Sequence, residues 1–144
     1  MLRTVVDYHT PIIEIWQKPR LQIKWYYTRQ DYTIVRNYLT DHLHIEWADY
    51  LRYHSGLWYG ITTIPEVSAW LECPERYSIP FKDFLTLVDF KIRSFHTADG
   101  LIPNKYNTVI ISSRYTLYEI YPDINKTNLN KICQFMEVNR LEMD

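Results

Sequence analysis

A chain of 144 residues with a formal charge of -1 is the size of one domain, spanning 1–144, and carries no broad cationic field, which excludes a nucleic-acid binder acting through its whole surface. Hydrophobic residues at 47% against 23% charged exclude intrinsic disorder. Only three glycines occur, Gly56, Gly60 and Gly100, and neither GxGxxG nor GxxxxGK[ST] is present, which argues against a glycine-rich phosphate loop.

In chain order, "TVVDY" (4–8) reads as a strand, and "IIEIWQ" and "RLQIKWYY" flank "KP" as an antiparallel hairpin. Leu21, Ile23, Trp25 and Tyr27 fall on one face of the second strand, and Gln22, Lys24 and Tyr26 on the other. Thr28, with Asp31 three residues on, predicts a helix start close to a capping box. Val35, Leu39, Leu43, Trp47 and Tyr50/Leu51 continue at helical spacing, so one helix is predicted from about Arg29 to Tyr53, stopped near Gly56. "GLWYGITTI" reads as a strand, and the region from Pro65 to Pro80 as loop with a short helical turn around "EVSAWLE".

Phe81, Phe84, Leu85, Val88, Ile92 and Phe95 predict a helix, with Gly100 just past its end and His96 near its C-terminus, where the dipole favours a protonated imidazole. "NTVIIS" predicts a central strand, apolar on both faces. "SRYTLYEIY" fits either a short helix capped by Ser113 or a strand. Thr127 caps a last helix carrying Leu129, Ile132, Cys133 and Met136. These elements predict an α+β domain: a mixed sheet of four to five strands, opened by the N-terminal hairpin, with three to four helices packed on it.

Cys73 and Cys133 lack any CxxC or Cys/His spacing, so they read as buried small hydrophobes in a reducing compartment. "MLRTVVDYHTP" has no apolar core of a signal peptide, and no stretch approaches the length of a membrane span, so a cytoplasmic location is expected. The sequon Asn125-Lys126-Thr127 has no meaning in that location.

Four constellations could carry function. In "DHLHIEWADY" (41–50) a strand would put His42, His44 and Glu46 on one face as metal ligands, whereas a helix would separate the two imidazoles and align His42, Glu46 and Asp49. The interleaved Trp16, Lys18, Arg20, Lys24, Tyr26 and Arg29 resemble a stacking platform for single-stranded nucleic acid. Backbone N–H groups after Ser112-Ser113 could hold an anion where a strand feeds a helix. Finally, aromatics at 16% leave Trp58, Tyr59, Trp70, Tyr115 and Tyr118 as candidates for a protein-partner or self-association surface. No GxSxG and no matched carboxylate pair is present.

Two resemblances attach to these residues. His-Leu-His on a strand resembles the metal site of the HUH rolling-circle and transposase nucleases, which implies a metal-dependent enzyme; the Tyr-x-x-Lys context that chemistry uses is missing, since no tyrosine here has lysine three residues later. The element order from Ile12 to Tyr121 resembles the small STAS/SpoIIAA-like domains. "WYYTRQDYTIV" is similar to their T-x-x-[DE]-Y helix start, and "KYNTVIISSRYTLYEIY" to their later strand-to-helix passage. "DYLRYHSGLWYGITTIPE" departs from the apolar strand ending in Asp, and no acceptor serine stands out. The resemblance implies a non-catalytic regulatory module with a four- or five-stranded sheet. The expectation is therefore a binding domain, needing no cofactor, that meets a protein partner or a second copy of itself through exposed aromatics. The metal enzyme and the nucleic-acid hairpin are the alternatives.

Overall fold

The computed structural model describes residues 2–8, 21–62, 67–72, 75, 78–89, 91 and 93–144. Along the chain run β1 (Leu2–Tyr8), β2 (Gln22–Tyr27), α1 (Thr33–Leu43), a 3-10 turn (Ile45–Trp47), β3 (Asp49–His54), β4 (Leu57–Tyr59), β5 (Ala69–Glu72), α2 (Phe81–Val88), β6 (Ser94–Thr97), β7 (Gly100–Pro103), β8 (Thr108–Ser113), α3 (Leu117–Ile120), α4 (Lys126–Cys133) and β9 (Met136–Met143). Among the described residues the strands form one sheet in the order β1-β9-β2-β8-β5-β3-β4, with β6 and β7 as a separate hairpin.

The ladder β9-β2-β8-β5-β3 is parallel throughout, and only its outer partners, β1 on β9 and β4 on β3, run antiparallel. Parallel strands need crossovers, which α1 provides between β2 and β3, α2 between the neighbours β5 and β8, and α3 with α4 between β8 and β9. The architecture is thus α/β rather than the expected α+β, and the sheet is wider than four or five strands. The N-terminal hairpin is overturned by the ladder. "IIEIWQ" lies outside the described residues, but β2 pairs with β8 on one edge and β9 on the other, so no edge is left for it. "TVVDY" is within β1, which pairs with β9.

Strand alternation builds two cores. Ile23, Trp25 and Tyr27 of β2, Val109 and Ile111 of β8 and Leu71 of β5 face one way. Phe84, Leu87 and Val88 of α2, Leu117 and Ile120 of α3, and Leu129, Ile132 and Cys133 of α4 cover them. Tyr26, Ile110 and Trp70, the intervening residues, face the other way under Val35 and Leu39 of α1. Val35 and Leu39, each contributing roughly 1.5–3 kcal/mol as fully buried branched side chains, anchor the eleven-residue α1, with Tyr32, Ile34, Tyr38 and Leu43 packed beside them.

The predicted helix to Tyr53 ends at Leu43. His44 takes a left-handed backbone (φ 51, ψ 49) that terminates α1; Ile45 then drops into the core and Asp49 opens β3. Trp47, placed by periodicity on the apolar stripe, is 80% exposed because the chain has already turned away. "EVSAWLE" contains β5, an inner parallel strand rather than a helical turn. The Phe81 helix closes at Val88, so Phe95 and His96 lie on β6 and the dipole role for His96 falls away. Gly100 (φ +109) turns the β6–β7 hairpin. "NTVIIS" is central as expected. The ambiguous stretch is the short α3, capped by Thr116 and Glu119. Asn125 caps α4, and Met136 opens the unforeseen β9.

Candidate functional site

The parallel ladder fixes where a ligand could enter. After β2 the chain passes to α1 on one face; after β8 it passes through α3 and α4 on the other. Because β2 and β8 are neighbours, their outgoing segments part and leave a crevice beyond their carboxyl ends. Such switch points are where open α/β sheets bind ligands. A cleft of about 590 Å³ lies there, lined by residues 28–32 with Arg114 and Tyr115.

Its walls are held by local hydrogen bonds. Thr28 Oγ1 donates to the Leu141 carbonyl (2.8 Å) and accepts from the Gln30 N–H (3.1 Å), pinning the turn after β2 to β9. Asp31 accepts from the Thr33 N–H and hydroxyl, both at 2.9 Å, at the start of α1. Those two bonds, the backbone one foremost, and the charge of Arg114 hold its carboxyl below the usual aspartate range. Arg29 forks onto Glu119 at 2.6 and 3.0 Å, and its guanidinium lies 5.2 Å from the Tyr27 ring centre. Glu119 also accepts from the Thr116 N–H (3.1 Å) in the α3 capping box. One carboxylate thus ties the loop after β2 to the helix after β8, and the Arg29 fork, ahead of the Thr116 bonds, lowers its pKa.

Beneath the crevice a hydrogen-bond chain runs under α1. The Trp70 indole N–H donates to Ser112 Oγ (2.9 Å), which lies 2.8 Å from the Tyr32 hydroxyl; that hydroxyl is 3.2 Å from Glu72. Tyr32 has one proton, so a consistent chain has Ser112 donating to Tyr32 and Tyr32 to the Glu72 carboxylate. Glu72 further receives Tyr50 (2.9 Å) and the Arg36 guanidinium (2.8 Å). On the far side Asp49 accepts from Thr62 and from the buried Tyr106 hydroxyl, whose pKa burial drives upward.

The sequence-predicted sites fare unevenly. Trp58 (2% exposed) packs edge-on against Tyr53 and Phe95, and Trp70 (7%) lies under α1 against Tyr50, so both serve the core. Tyr59 (36%), Tyr115 (41%) and Tyr118 (37%) are exposed. Tyr118 donates to Asn130, and burial with the neighbouring Cys133 pushes its hydroxyl up to about 12.

His42, His44 and Glu46 are neither on one strand nor on one helix. His42 stacks on Tyr38 (4.5 Å), while the solvent-exposed His44 lies 3.5 Å from Glu46. The alternative set with Asp49 fails because Asp49 points to Thr62 and Tyr106. Among the described residues no three His, Cys, Asp or Glu side chains converge as around a metal ion.

Of the basic-aromatic set, Trp16, Lys18 and Arg20 lie outside the described residues. Lys24 is half-buried, Tyr26 is buried against Tyr38, and Arg29 is paired with Glu119. Ser112 is spent in the chain below the crevice, and Ser113 Oγ accepts from the Tyr115 N–H (3.0 Å).

The sequence pointed to one wall of the crevice, the passage after Ser112-Ser113 with Tyr115, but not to the facing wall at residues 28–32. The signal for the crevice was two polar runs, "TRQD" and "SRYT", each directly after an apolar strand, but only the strand order makes them neighbours. Among the described residues no helix is long and apolar enough to cross a membrane. No protein-family model matches this chain, and no curated protein matches it.

Proposed function

We propose that this chain is a non-catalytic binding domain whose recognition site is the crevice beyond β2 and β8. The observation that carries the reading is the parting of two adjacent parallel strands' loops to opposite faces around a cleft within the ordinary size range of ligand sites. Its carboxylates support binding over acid–base work, because Asp31 and Glu119 are already engaged by hydrogen bonds and hold lowered pKa values. Protein-observed NMR with a small-fragment library tests it. Shifts should cluster at 28–32 and 113–118, and clustering elsewhere would overturn it.

A second reading, association with another copy of this chain, is favoured by the exposure of Trp47 together with Tyr59, Tyr115 and Tyr118. Light scattering across a concentration series, repeated on Trp47→Ser, decides it: a strict monomer in both would end that reading.

A further inference from the structure

We infer that the crevice takes a small organic anion, a carboxylate or phosphate carried on a flat unsaturated ring, with Arg114 pairing the anion and Tyr115 receiving the ring. This rests on the crevice being the binding site and specifies its ligand. Most polar groups around it are already committed to the fold. Arg29 is forked onto Glu119. Asp31 is taken by Thr33. The Gln30 amide is used in both directions, donating to the Met143 carbonyl (3.2 Å) and accepting from the Met143 N–H (2.8 Å).

Arg114, exposed on the crevice wall, forms no salt bridge among the described residues. Its planar fork matches a carboxylate or phosphate two-point. Asp31, whose carboxylate form is favoured by two hydrogen bonds from Thr33 and by the charge of Arg114, opposes an incoming anion, which must therefore compete with it for the guanidinium.

Tyr115 stands beside it on a fixed base. Its carbonyl accepts from the buried Trp25 indole (2.8 Å) and its N–H donates to Ser113 Oγ (3.0 Å), so the backbone is held on both sides while the ring stays 41% exposed. A cation with no salt bridge among the described residues, next to a half-open aromatic ring whose backbone is held on both sides, is the pairing that recognises a flat anion.

The test uses the full chain, isotope-labelled, titrated separately with adenosine 5′-monophosphate, benzoate, adenosine and inorganic phosphate. The monophosphate and benzoate should move the amides of 28–32 and 113–116, and adenosine and inorganic phosphate should bind at least about tenfold more weakly. Arg114→Ala should weaken both anions by about tenfold or more, Arg114→Lys by less, and Tyr115→Ala should weaken the ring-bearing anions while leaving inorganic phosphate unchanged. Lys105→Ala, exposed before the amino end of β8, serves as control and should change nothing.

Adenosine binding at the crevice as well as its monophosphate, with Arg114→Ala indifferent, would overturn the anion assignment and leave the crevice standing. Shifts clustered away from the crevice would overturn both. No response to either anion would overturn the anion assignment.

Discussion

Glu119 does two jobs at once, and the structure allows them to be separated. It caps α3 through the Thr116 N–H and it holds Arg29 across the crevice. Glu119→Gln keeps an oxygen for the cap but removes the charge, and Glu119→Ala removes both. The pair is roughly half-exposed (side chains 52% and 40%), so solvent screening limits its contribution to about 0.2–1 kcal/mol. Loss of the Glu119 half of the capping box adds about 0.5–1.5 kcal/mol, since the Thr116 cap itself remains. Urea unfolding at neutral pH should therefore place Glu119→Gln within about 1 kcal/mol of the parent, and Glu119→Ala about 1–2 kcal/mol below it. A double-mutant cycle with Arg29→Ala should return a coupling in the lower range.

Because folding lowers the Glu119 pKa, the folded state binds fewer protons at intermediate pH. The coupling should be complete above the unfolded glutamate pKa and vanish as pH falls through the lower folded one. A coupling that grows on acidification, or a Gln variant as damaged as the Ala variant, would refute this division of roles.

Gly60 (φ +92) should not tolerate alanine, because its Cβ would sit 2.1 Å from the Tyr50 carbonyl oxygen; Gly56 (φ +82), with open space around it, should lose only about 1–2 kcal/mol by thermal unfolding. Tyr106→Phe deletes a bond to the carboxylate of Asp49 and should cost about 1.5–3 kcal/mol in urea titration. Trp47→Ser should leave stability within about 0.5 kcal/mol by the same measurement, since the indole is exposed and the core does not use it.

What the sequence made legible was local. The central β8, the Phe81 start of α2 and the one-sided face of β2 follow from short-range apolar patterns that burial enforces. What it hid was decided by partners far away in sequence. β5 is four residues between prolines, too short for any period to show, and it is a strand because β3 and β8 flank it. β9 lies between β1 and β2, and such an inner position blurs the alternation that would have marked it. The stripe from Val35 to Trp47 misled because helical spacing persists in the letters after His44 has reversed the backbone. The surplus of aromatics suggested surface, yet Trp58 and Trp70 are core, which is where large rings go when both faces of a sheet are covered.

The crevice is a consequence of parity in the central strands. Tyr26 and Tyr27, one residue apart, must point to opposite faces, and so must Ile110 and Ile111 on the strand beside them. Both faces therefore need cover, and the two crossovers adjoining this pair supply it from opposite sides, α1 after β2 and α3 with α4 after β8. The loops must then separate above the β2–β8 ladder, whatever residues they contain. Binding chemistry is confined to what those loops leave uncommitted. The fold takes Thr28, Gln30, Asp31 and Glu119 for its own hydrogen bonds, whereas Arg114 makes no salt bridge among the described residues and the ring of Tyr115 stays exposed.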